Sequence, residues 1–92
     1  MAEGKPIKLE GKLFRGNLML RSQEVEFTDP NLTFTKILEK CLVNLCRDLE
    51  VPIPLWLEKN TREFARFHQT LFFDGQFTEP IAFDRFQIRW IE

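Results

Sequence analysis

His68 is the only histidine in the chain, and so the first candidate for moving a proton near neutral pH. A triad would also need a Ser or Cys nucleophile within reach of it. Ser22 is the only serine, and it falls in a predicted strand or bulge well away in sequence. The two cysteines are Cys41 and Cys46. On one helix they would stand about 140° and about 8–9 Å apart, beyond the roughly 7 Å that a disulfide spans. Without a matching histidine pair they give no zinc pattern, so neither a metal nor another cofactor is expected. Buried, reduced thiols are the expectation. The acidic residues form no linear constellation. Asp74 is explained by a turn, Glu63 by a helix cap, and Asp84 by a turn or an exposed site before a strand.

Two sets of cations could hold phosphates. Lys36, Lys40 and Arg47 project within about 40° of one another on the long helix, and Arg62 with Arg66 do so on the second. Glu39, Glu58 and Glu63 are interleaved with them. The chain carries 13 Lys+Arg against 14 Asp+Glu, for a net charge of −1. Nucleic-acid modules usually carry a basic domain charge, so a solvated helix face is the stronger reading of both sets.

These residues are positioned by a chain of 92 residues, enough for one core. Hydrophobic residues make up 43% and charged residues 29%, which excludes a disordered, collagenous or membrane-spanning chain. The start, Met1-Ala2-Glu3-Gly4-Lys5-Pro6, has no apolar stretch of the secretory kind, which leads to a cytoplasmic expectation. Ten Phe accompany two Trp and no Tyr. Phe needs no hydrogen-bond partner when buried, so a Phe-built core is expected, with one or two rings left at the surface.

Period-two alternation of Ile7, Leu9 and Leu13 with Lys8, Glu10 and Lys12 predicts a strand. Arg15-Gly16-Asn17 turns it into a second. Leu18 and Leu20 share one phase and Val25 and Phe27 the other, which predicts a bulge, or a break between two short strands, near Ser22-Gln23-Glu24. A helix is expected from Thr33 to Leu49, because Phe34, Ile37, Leu38, Cys41, Leu42, Leu45 and Leu49 form one stripe. Thr33 is its N-cap, and Val51-Pro52-Ile53-Pro54 stops it. Val43 lies opposite the stripe and reads as a lone exposed side chain. A second helix is expected from Thr61 to Gln69, capped by Asn60 with Glu63, with Phe64, Phe67 and His68 on one face.

Leu71-Phe72-Phe73, Asp74-Gly75 and Gln76-Phe77-Thr78 predict a hairpin with a two-residue turn. The end alternates as Phe86, Ile88 and Trp90 against Gln87, Arg89 and Ile91. The order is β-β-α-α-β-β-β. It predicts a single α+β domain over 1–92, a mostly antiparallel sheet with one long amphipathic helix and one short helix. Phe14, Met19 and Ile91 fall on the nominally polar sheet face. Together they could form a second apolar face for another layer or a homodimer.

Pro54-Leu55-Trp56-Leu57, Glu63-Phe64 and the closing Phe83-Asp84-Arg85-Phe86-Gln87-Ile88-Arg89-Trp90-Ile91-Glu92 resemble a family of small uncharacterised bacterial proteins common in Firmicutes. Those proteins run through a hairpin, a long helix, a Pro-hydrophobic-Trp-Leu segment, a Glu-Phe helix and a final Phe-Asp strand. The likeness covers Thr33 to Glu92 and, more loosely, the hairpin. It implies the same α+β order and brings no catalytic residues. In that family the second helix is more basic after Glu-Phe, with a Lys-Arg-His run. Here the matching stretch is Ala65-Arg66-Phe67-His68-Gln69, a departure that counts against phosphate binding.

The leading expectation is therefore a cytoplasmic, non-enzymatic module acting through contacts with a protein partner or with itself. Nucleic-acid binding through the Lys36/Lys40/Arg47 and Arg62/Arg66 faces ranks second. An enzyme with a scattered site near His68 ranks third.

Overall fold

The computed structural model describes residues 6–91. Residues 1–5, on which the reading of the chain's start rests, and Glu92 lie outside the described residues. Four strands form one antiparallel sheet: β1 (Ile7–Arg15), β2 (Leu18–Phe27), β3 (Gln69–Phe73) and β4 (Arg85–Ile91), in the order β2-β1-β4-β3. Two helices, α1 (Phe34–Leu49) and α2 (Glu58–Phe67), fill the connection between the hairpin and β3. The chain is thus one α+β domain with an antiparallel sheet, one long helix and one short one.

Alternation decides the faces of the sheet. Ile7, Leu9 and Leu13 of β1, Phe86 and Ile88 of β4, and Phe72 of β3 are buried under the helices. Lys8, Glu10 and Lys12 occupy the other face, where Glu10 meets Arg89 at 3.3 Å and Lys12 at 3.9 Å. Helix α1 packs on β1 and β2, and α2 on β3. Helix α1 buries Ile37, Leu38, Cys41, Leu42, Leu45, Cys46 and Leu49. Each such Leu or Ile contributes about 1.5–3 kcal/mol. The helix can sit this close because Gly11 faces it. A Cβ there would stand 2.6 Å from Leu45 Cδ2 and 3.0 Å from Phe86 Cε1.

The ends of α1 are fixed by named groups. Thr33 Oγ1 accepts from the Lys36 N–H at 3.3 Å. At the other end Arg21 reaches from β2 and donates to Leu49 O at 2.9 Å and Asp48 O at 3.4 Å. That puts a cation where the helix carbonyls point outward. Glu50 closes the helix in the left-handed region, with φ 60.

Four local expectations are corrected. The irregularity in the hairpin falls where Leu13 pairs with Arg21 and Phe14 with Met19, leaving Leu20 as the extra residue. Ser22, Gln23 and Glu24 run in regular register, so the bulge sits beside the turn. Helix α2 starts at Glu58 after Leu57 as N-cap, a turn earlier than the Asn60 cap implied. It ends at Phe67 because His68 takes φ 60. This leaves Phe67 62% exposed and apart from buried Phe64. Asp74-Gly75 makes no hairpin. Asp74–Gln76 is a single 3-10 turn, and β3 pairs with β4 across the long 77–84 connection. The expected sixth element, a strand after that turn, is absent among the described residues.

Candidate functional site

Asn60, read from sequence as a cap, is fully buried. Its Oδ1 accepts from the Leu57 N–H and from Gln76 Nε2, both at 2.9 Å. Its Nδ2 donates to Thr70 Oγ1 at 2.8 Å and to Leu71 O at 3.1 Å. Thr70 in turn donates to Glu63 Oε1, so Glu63 braces β3 instead of a cap. Gln76 Nε2 also donates to Leu55 O at 3.0 Å, and its Oε1 accepts from the Phe73 N–H at 3.1 Å. Among the described residues no buried side-chain polar atom lacks a partner. A buried network satisfied in this way fixes one arrangement of the segments it joins. Here it ties residues 55–57 to α2, β3 and the 3-10 turn.

That segment carries Trp56. The ring lies 6.0 Å from Phe64 and 5.6 Å from Phe72, and its Nε1–H donates to Thr61 Oγ1 at 2.7 Å. Trp90 at the end of β4 joins the same cluster, 5.0 Å from Phe34 and stacked at 6.3 Å on Phe64. The aromatic residues therefore hold α1 and α2 on the same sheet while leaving a space between them.

The space is a groove of about 660 Å³. One wall is α1, through Phe34, Leu38, Leu42 and Val43. The other is α2, through Thr61, Phe64 and Ala65, and Ile53, Pro54 and Trp56 close it. Thr35 and Glu39 complete the lining, and among the described residues Glu39 is the only ionisable one there. Phe34, Val43 and Ile53 are 44%, 40% and 52% exposed there. Its size falls in the ordinary range for binding clefts. The sequence reading treated Val43 as an isolated exposed side chain. In the structure it belongs to this wall.

The other candidate residues are dispersed. Phe14 and Met19 are cross-strand partners beside the hairpin turn, and the Arg85 guanidinium lies 5.0 Å from the Phe14 ring. Ile91 pairs with Lys8 at the opposite end of the sheet. It is thus separated from Phe14 by the length of β1, and the three do not form one apolar face. His68 caps α2 with its ring 4.8 Å from Trp90, next to the β3 edge. Ser22 lies on β2, the other edge, opposite Lys12. The structure does not bring these two together.

Cys41 and Cys46 are buried in the core, and burial pushes the Cys46 thiol up to about 12 and raises that of Cys41 as well. A thiol held neutral is a poor nucleophile. No group of three or more His, Cys, Asp or Glu stands together as a metal set among the described residues. No helix among them is long and apolar enough to cross a membrane.

Three of the six cations on the two helices are matched by acids. Lys36 pairs with Glu39 at 3.4 Å, Arg47 with Asp48 at 3.8 Å, and Arg62 with Glu58 at 3.9 Å. Arg66 lies 5.8 Å from the Phe67 ring, and Lys40 is exposed on the outer face of α1. Asp84 accepts from the Gly16 N–H at 2.8 Å, which gives it a role in holding the hairpin turn. No family model matches the chain, and neither does any curated protein or solved structure.

Proposed function

We propose that the chain is a cytoplasmic, non-enzymatic interaction module whose binding site is the groove between α1 and α2. The observation that carries this reading is the groove's apolar lining. Phe34, Val43 and Ile53 leave large apolar side chains half-exposed around one cleft, and clustered apolar surface of this kind favours contact with another molecule. The walls are preformed, because Trp56, Phe64 and the Asn60 network hold them. Little ordering cost then remains for binding. Two free, buried thiols accord with a reducing compartment. The interaction reading rests on the groove alone. Phosphate binding has less support, because Lys36, Arg47 and Arg62 already face a carboxylate.

Affinity capture from the native host tests this. Val43→Lys puts a charge in the groove while giving Glu39 a favourable partner four residues on. Ala65→Trp fills the groove from the opposite wall. Gln87→Lys on the open sheet face is the control. A partner retained by the wild type and the control, and lost by both groove variants, supports the reading. Equal retention by all four proteins refutes it.

A further inference from the structure

Another exposed apolar feature of the molecule is the tip of the β1–β2 hairpin. Leu18, Met19 and Leu20 are 67%, 52% and 38% exposed, and none of them belongs to the core. The tip is braced. Gly16, at φ 59, donates its N–H to Asp84 Oδ2 at 2.8 Å and accepts from Arg85 Nη2 at 3.0 Å. Arg15 Nη1 donates to Ala82 O at 3.3 Å. The extra residue at Leu20 re-aims the strand end, as bulges do. A rigid apolar knob is therefore held out with its conformation already fixed.

Resting on the groove as the binding site, we propose that its occupant is the hairpin tip of a second copy of this chain. The two surfaces complement each other in chemistry. Leu18 and Met19 offer apolar side chains to a cleft walled by Phe34, Val43, Ile53 and Trp56. The tip carries exposed Arg15, and among the described residues the only ionisable group lining the groove is Glu39, whose solvent-exposed pair with Lys36 leaves its carboxylate open to a second cation. Position makes the contact intermolecular. Trp90, against Phe34 at the groove, pairs with Leu9. From Leu9 to Arg15 the strand runs about 20 Å, so the tip stands away from the groove of its own chain. A two-fold axis across the strands lays each tip on the other copy's groove. Both contacts then form together, which doubles a small buried area toward the roughly 1,200 Å² where specific interfaces begin. Preformed partners on both sides keep the ordering cost low.

Light scattering over a micromolar-to-millimolar series tests the proposal. A tip variant carries Leu18→Lys with Met19→Thr. Two groove variants carry Val43→Lys and Ala65→Trp. All substitutions are at exposed positions, and circular dichroism melts verify that each variant folds. The wild type is expected to reach twice the 11.0 kDa chain mass, and each variant to stay at one chain mass. A wild type that stays monomeric overturns the proposal, as does a tip or groove variant that dimerises like the wild type.

An apolar fluorescent dye, anilinonaphthalene sulfonate, separates this from the reading it rests on. Dye bound by a monomeric wild type and lost in both groove variants removes the second copy and keeps the groove. Dye bound equally by the groove variants removes both.

Discussion

Replacing Asn60 by alanine deletes four hydrogen bonds at a fully buried position. Each is worth about 1 kcal/mol net, with more lost where a buried partner is stranded. Gln76 Nε2 keeps Leu55 O, and Thr70 keeps Glu63, so two of the four partners retain a bond. The Leu57 N–H and Leu71 O lie in part-buried bonds and recover some solvation. A loss of roughly 3 kcal/mol follows, against a total of about 5–14 kcal/mol for a domain of this size. In a chain this short that lowers the melting temperature by roughly 12–24 °C. The site should also feel it, because Asn60 and Gln76 hold residues 55–57. Trp56 emission, measured in a Trp90→Phe background, is expected to shift to the red as the ring gains solvent. A melt within about 3 °C of the parent, with Trp56 emission unmoved, would show that the network does not hold the groove wall.

Four further outcomes follow from the same structure. Leu42→Asp should cost at least the roughly 2–5 kcal/mol of a lost buried leucine, before the charge is counted, while Lys40→Ala should melt with the wild type. Gly11→Ala should destabilise by roughly 1–3 kcal/mol in urea titrations, because Leu45 and Phe86 leave no room for a methyl group. The Cys46 thiol, raised by burial from 9.0 to about 12, stays neutral in the folded chain while the unfolded chain ionises. Its contribution is full below about 9 and is lost as pH rises toward 12. Urea titrations from pH 8 upward should therefore show falling stability, with a shallower fall in Cys46→Ala. Fluorescence anisotropy with generic DNA and RNA should show weak binding at low salt that vanishes on modest salt addition, since few phosphates can be neutralised.

Helix α1 was legible in the sequence because every signal agreed. Its apolar stripe has helical period, Thr33 caps it, and Pro52 and Pro54 follow it. Strand β4 was legible from its alternation of Phe86, Ile88 and Trp90. The misread elements are those whose conformation is set by distant partners. Asn60 and Gln76 look like a cap and a hairpin residue locally, but they bond to each other and to Leu55, Thr70 and Leu71. Gln76 also accepts from the Phe73 N–H, which ties residues 73–76 into a turn where a hairpin was expected. The groove was hidden for a related reason. Periodicity puts Val43 on the outer face of α1, and only the placing of α2 and Ile53 makes that face a wall. The candidate surface of Phe14, Met19 and Ile91 had the right face and the wrong distance, because alternation gives the side of a sheet and register alone gives separation along it.

The most direct test of the groove as the binding site is photocrosslinking in the native host. Benzoylphenylalanine is placed at Val43 in one variant and at Gln87, on the open sheet face, in another. Crosslinks to a protein, whether another polypeptide or a second copy of the chain, are expected from position 43 and not from position 87. Crosslinks from position 87 with none from 43 would contradict the groove as the binding site.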